Sequence, residues 1–106
     1  MISEETKKLY QKALRLKGLE NQLDITIEEI SELLQAIIKW RRAKIESYEK
    51  IVLVEHLSEE IGDTEIMLEQ LKLSFNIEKE VDEFKNKKLK RLEKRLKILE
   101  EGKEEK

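Results

Sequence analysis

Cysteine and proline are absent from the 106 residues, and there are only three glycines and one histidine. Without cysteine there is no disulfide, no thiolate metal ligand and no thiol nucleophile. A single histidine excludes a multi-histidine zinc site within one subunit. A ferritin-like di-iron site needs Glu-x-x-His on two helices. That pattern is also missing, because Leu53 stands three before the sole histidine, His56. No apolar run approaches membrane-spanning length. The polar stretch at residues 3–8 does not resemble a secretory signal, so a cytoplasmic chain is expected.

What the chain does have is charge: 43% charged against 39% apolar residues, with a net charge of −2. With so little to interrupt them, long helices are expected, arranged as an all-α, antiparallel bundle of about four. Residues 1–101 are read as a single helical domain and 102–106 as a polar tail. A chain this short buries a modest core alone, so a homo-oligomer is expected.

The first helix is expected over residues 3–16, capped by Ser3 and ended by Gly18, with Leu9, Ala13 and Leu16 facing inward. The second is expected from the low twenties to about residue 42, capped by Asn21, by Asp24 or by a capping box at Thr26-Ile27-Glu28-Glu29. Residues 43–50 read as a connection. A third helix follows over about 52–75 and a fourth over about 77–101, with Asn76 as both stop and cap. Leu89, Leu92, Leu96 and Leu99 give the fourth a coiled-coil-like spacing. The second helix is apolar well beyond one face. Ile27, Ile30, Leu34 and Ile37 form a stripe, and Leu33, Ala36, Ile38 and Trp40 widen it. Such a helix packs on several sides, in a bundle centre or a dimer interface.

Within these helices a five-residue pattern nearly repeats. Glu28-Glu29-Ile30-Ser31-Glu32 returns as Glu59-Glu60-Ile61-Gly62-Asp63. Acids three apart are neighbours on a helix. The spacing is cheap in an acid-rich chain, and Glu100-Glu101-Gly102-Lys103-Glu104 repeats it in the tail. The two central copies differ in having apolar neighbours along their strips. Glu29 and Glu32 share one with Ile25, Ala36 and Trp40, and Glu60 and Asp63 share one with Leu53, His56 and Met67. Four half-buried carboxylates repel one another, and a divalent cation reverses that repulsion. Oxygen-only ligands suit Mg²⁺ or Mn²⁺. A polyphosphate substrate and metal-assisted attack of water on phosphorus then follow.

The two helices resemble the MazG-like, all-α nucleoside triphosphate pyrophosphohydrolases, in particular small stand-alone bacterial or phage versions. That family carries EExxE on one helix and ExxD on the next. Here these read as Glu28-Glu29-x-x-Glu32 and Glu60-x-x-Asp63. Gln22-Leu23-Asp24 leads into the first motif, Leu33-Leu34-Gln35-Ala36-Ile37 follows it, and Ile66-Met67-Leu68-Glu69-Gln70-Leu71 follows the second. The stretch Lys87-Lys88-Leu89-x-Arg91-Leu92 is similar to the basic segment of the family's last helix. The resemblance implies an Mg²⁺-dependent enzyme hydrolysing nucleoside triphosphates to monophosphate and pyrophosphate. It implies Glu29, Glu32, Glu60 and Asp63 as metal ligands. Glu28 is implied as a second-metal ligand or water-orienting base, with Glu59 left to solvent. A homodimer or homotetramer is also implied.

Residues 85–97 hold eight Lys or Arg and one acid, Glu93. Lys88 and Arg91, or Lys87 in an alternative register, are candidates for triphosphate oxygens. For the run as a whole, a solvated coiled-coil face is the better reading. Few aromatics and an acidic net charge weigh against nucleic acid. Trp40 can stack on a base, or serve as a core or interface tryptophan. The competing function is a non-catalytic helical oligomerisation or adaptor module, or a degenerate family member.

Overall fold

The computed structural model describes residues 2–44 and 48–102, and among these there are four helices and no strand. They are α1 (Glu4–Lys17), α2 (Leu19–Arg42), α3 (Tyr48–Ser74) and α4 (Glu78–Glu100). Two compact units divide the chain, Met1–Phe75 and Asn76–Lys106.

In the first unit α1 starts as expected. The Thr6 N–H donates to Ser3 Oγ at 3.1 Å, which satisfies one orphan donor of the first turn. Gly18 ends the helix, its N–H donating to the Leu14 carbonyl at 2.9 Å. Its φ of +83° is a conformation that glycine adopts without steric cost. The same residue starts α2, accepting from the Gln22 N–H at 3.1 Å. The second helix therefore begins earlier than expected, and neither Asn21 nor Asp24 caps it. Thr26 does not form a capping box. Buried inside the helix, it donates its hydroxyl back to the Gln22 carbonyl at 2.7 Å.

The third helix also begins earlier than expected, at Tyr48, inside the stretch read as a connection. Residues 45–47 of that stretch lie outside the described ones. Lys50, in the first turn of α3, sits 4.0 Å from the centre of the Trp40 ring. That cation–π contact ties the end of α2 to the start of α3.

The core of this unit is small. Tyr10, Ala36 and Met67 are its buried apolar residues, with Gln22, Thr26, Glu60 and Thr64 as buried polar ones. Ala36 has no exposed surface, so α2 and α3 approach closely there. On α1, Leu9 and Leu16 are exposed and the buried residue is Tyr10, which corrects the inner face expected from spacing. Tyr10 is chosen because its hydroxyl reaches Glu69 on α3. It packs an apolar ring inward and still finds an acceptor.

The second unit begins at Asn76, whose positive φ of 55° stops α3 as expected. Asn76 does not cap α4; that position is Ile77, which gives no side-chain hydrogen bond. No described residue of α4 is buried, and Leu89, Leu92, Leu96 and Leu99 are all exposed.

The Tyr10–Glu69 bond generates a prediction. Burial and the Glu69 carboxylate together push the Tyr10 hydroxyl from 10.0 up to about 12. The proton is thus held more tightly in the folded chain. Its stabilisation is complete below pH 10.0 and is lost as pH rises towards about 12. Tyr10→Phe is expected to lower unfolding stability by about 1–2 kcal/mol at neutral pH. It should also flatten stability between those two values in urea titrations.

Candidate metal centre

Direction decides which acids meet. On α2, Glu29 accepts at its carbonyl from Thr64 Oγ1 at 3.3 Å, while Trp40 meets Lys50. Later residues of α2 thus meet earlier residues of α3, so the two helices run antiparallel. With acids three apart on each, this register sets Glu29 towards Asp63 and Glu32 towards Glu60. Carboxylate oxygens of Glu29, Glu60 and Asp63 lie within 4.8 Å of one another. Glu32 stands outside that triad, but its charge acts on both Glu29 and Glu60, and its side chain hydrogen-bonds to Glu60.

The cluster is electrostatically unfavourable as it stands. Burial is the largest influence raising the Glu29 carboxyl above its ordinary value, followed by the charges of Glu32, Asp63, Glu60 and Glu28. Glu60 is raised first by burial and then by Glu32. His56 opposes that rise, and Asp63 and the hydrogen bond that protonated Glu60 donates to Glu32 add to it. So His56, one turn before Glu60, belongs to the electrostatics of this site.

Two atoms point to what is missing from the ledger of partners. Glu29 Oε2 and Glu60 Oε2 are both buried, and neither accepts a hydrogen bond among the described residues. A carboxylate oxygen withdrawn from water without a donor carries a desolvation penalty. These orphan oxygens sit in the same cluster as Asp63. An all-oxygen, strongly anionic donor set fits a hard divalent cation. One dication would satisfy both orphan atoms and turn the mutual repulsion into attraction.

The remaining expected residues fall in three places. Glu28 is exposed on α2 beside Glu29, and Glu59 is exposed on α3. Trp40 is 39% exposed at the end of α2, under Lys50. Lys87, Lys88 and Arg91 are exposed on α4, where with Phe84 they line a recess of about 260 Å³.

Sequence reasoning missed two residues that position the centre. Thr64 holds the α2 backbone at Glu29, and Glu69 receives Tyr10. A threonine directly after Asp63, on a helix whose residues 60 and 67 face inward, was the available signal for the first. Glu69 gave none, since its partner lies on a different helix. No protein-family model matches the chain, and no curated protein or solved structure matches it either.

Raised carboxyl values make a signed prediction. Both glutamates bind their protons more tightly folded than unfolded. That contribution is complete below the ordinary value of 4.5 and fades as pH rises through the raised folded values. For these two groups, the metal-free chain should lose stability as pH rises above 4.5, and Mg²⁺ should abolish the loss. Melting curves across a pH series, with and without Mg²⁺, read this out. Glu60→Gln should melt higher than wild type without metal at neutral pH, and respond less to Mg²⁺.

Proposed function

We propose that this chain is a metal-dependent nucleoside triphosphate pyrophosphohydrolase of the MazG-like kind. The observation that carries the reading is the pair of buried, partnerless carboxylate oxygens on Glu29 and Glu60, clustered with Asp63. A purely structural acid cluster would be expected to satisfy its buried oxygens from within. Glu29, Glu32, Glu60 and Asp63 are the residues that would hold Mg²⁺ or Mn²⁺. When bound, such an ion supplies positive charge against polyphosphate oxygens and eases deprotonation of water.

The residues themselves divide the work. Glu29 and Glu60, held across the antiparallel helices, fix the position of the charge. Glu28 is exposed on the turn beside Glu29 and is assigned to orient the attacking water and accept its proton, with Glu29 as the alternative base. Water adds at phosphorus, the α–β phosphoanhydride bond breaks, and pyrophosphate leaves the monophosphate behind. Lys87, Lys88 and Arg91, which share one recess on α4, are the cations assigned to phosphate oxygens. Trp40 presents part of its ring for a base. The reading includes a homodimer or homotetramer, since the first unit leaves much apolar surface uncovered.

That same apolar surface favours a second reading, a non-catalytic helical oligomerisation or adaptor module. Thermal melting separates the two. An enzyme should be stabilised jointly by Mg²⁺ and nucleotide, and an adaptor should show no coupled shift.

The direct test is pyrophosphate release from a panel of canonical and modified nucleoside triphosphates with Mg²⁺. Release is expected from at least one, and Glu32→Gln or Asp63→Asn should lower it at least 100-fold, as about 3 kcal/mol of lost transition-state stabilisation would. No release from any substrate rules out the enzyme. Release unaffected by those substitutions rules out the assignment of residues.

A further inference from the structure

Positive charge is concentrated on α4. Residues 85–97 hold eight Lys or Arg against one acid, while the whole chain is at −2, so the residues outside this stretch sum to a negative charge. Such asymmetry within one chain points to an anionic partner. The same helix carries uncovered apolar groups. At about 100° per residue, Leu89, Leu92, Leu96 and Leu99 fall within an arc of about 80°. All four are exposed, at 48% to 58%. No described residue of α4 is buried. Lys87, Lys90, Lys94 and Lys97 gather on the opposite side of the helix, and Lys85 and Arg95 stand in or beside the leucine arc.

These features separate three kinds of anionic partner. An acidic helix would pair as a coiled coil, which needs an apolar seam sustained over about three or four heptads. Here the seam covers only residues 89–99, and the seam positions before it are Lys85 and Asp82. A nucleic-acid backbone would answer the charge but leave the leucines in water. Phe84 is the sole aromatic on α4 to stack on a base. A surface of anionic lipids answers both features, since it sets headgroup phosphates over an apolar layer. No described helix is long and apolar enough to cross a membrane, so α4 would lie in the interface rather than span it.

We infer that α4 binds the surface of an anionic membrane, with its leucine arc turned into the lipid and its lysine side turned to water. Lys85 and Arg95 meet headgroup phosphates at the edge of the arc, their aliphatic stems lying along apolar surface. The net negative charge outside the basic stretch keeps the rest of the chain off the same surface. The recess of Phe84, Lys87, Lys88 and Arg91 lies to one side of the arc. Membrane binding and the assignment of those cations to a substrate are therefore separate claims. The inference rests on the charge and apolar pattern of α4, and it stands whether or not the chain hydrolyses nucleotides.

Flotation of the full chain with lipid vesicles tests this. Vesicles of equal parts phosphatidylglycerol and phosphatidylcholine should carry the chain, and phosphatidylcholine alone should leave it behind. Added salt should weaken the binding. Lys85→Glu, and separately Leu92→Gln with Leu96→Gln, should each weaken it at least about tenfold, with unchanged helicity by circular dichroism. The chain lacks cysteine, so one introduced cysteine carries a unique label. A polarity-sensitive fluorophore on Leu96→Cys should shift to the blue on the anionic vesicles. The same fluorophore on Lys94→Cys, on the opposite side of the helix, should not. Flotation with neither vesicle, or equally with both, overturns the proposal. Binding that survives loss of both leucines, or a blue shift at position 94 and not at 96, overturns it as well. A chain held by RNA or by polyglutamate but not by vesicles assigns α4 to nucleic acid or to an acidic protein, and the proposal fails.

Discussion

The antiparallel register of α2 and α3 is the constraint on which the rest depends. It brings two acid pairs, each three apart, to one level of the helix pair, and so puts Glu29, Glu60 and Asp63 within ligand distance of one another. Folding this way gathers like charges and removes two carboxylate oxygens from water without giving them a donor. Both effects oppose folding at neutral pH. The structure therefore has a standing demand for positive charge. A proton or a divalent cation would each meet it. The proposed hydrolase turns that demand into a function.

Other contacts secure this register rather than the fold in general. Thr64 grips the α2 backbone at Glu29, Lys50 covers Trp40 at the far end, and Tyr10 brings α1 onto Glu69. Few side chains are wholly buried. A core this thin is sensitive to each specific bond, because summed apolar burial leaves little margin. It also leaves α2 with two apolar-lined faces. One carries the acids against α3. The other, centred on Ile30, is exposed. The two copies of the near-repeat thus do two things at once: their acids converge inward and their isoleucines, Ile30 and Ile61, point outward.

Much of this was legible in the sequence. Ser3, Gly18 and Asn76 punctuate the chain where their chemistry predicts, because caps and positive φ are local properties. The acids Glu29, Glu60 and Asp63 were legible from spacing plus apolar neighbours, and they do come together. Less legible was anything set by a partner helix. Asn21, Asp24 and Thr26 are all good caps by type, but Gly18 had already started the helix, and the intrinsic preference gave way. Leu9 and Leu16 match helical spacing yet stay exposed, while Tyr10 goes inward because Glu69 awaits it. Spacing cannot see an acceptor fifty-nine residues along the chain.

The central claim is that α2 and α3 hold a divalent cation between their acids, and direct metal titration tests it most simply. Mn²⁺ added to the full chain, followed by electron paramagnetic resonance of the free ion, should show saturable binding at neutral pH. That binding should be lost in Glu60→Gln and Asp63→Asn and kept in Glu100→Gln, which alters only the tail copy of the acid pattern. Saturable binding that survives Glu60→Gln unchanged, or no binding above that of the tail acids, would contradict the account.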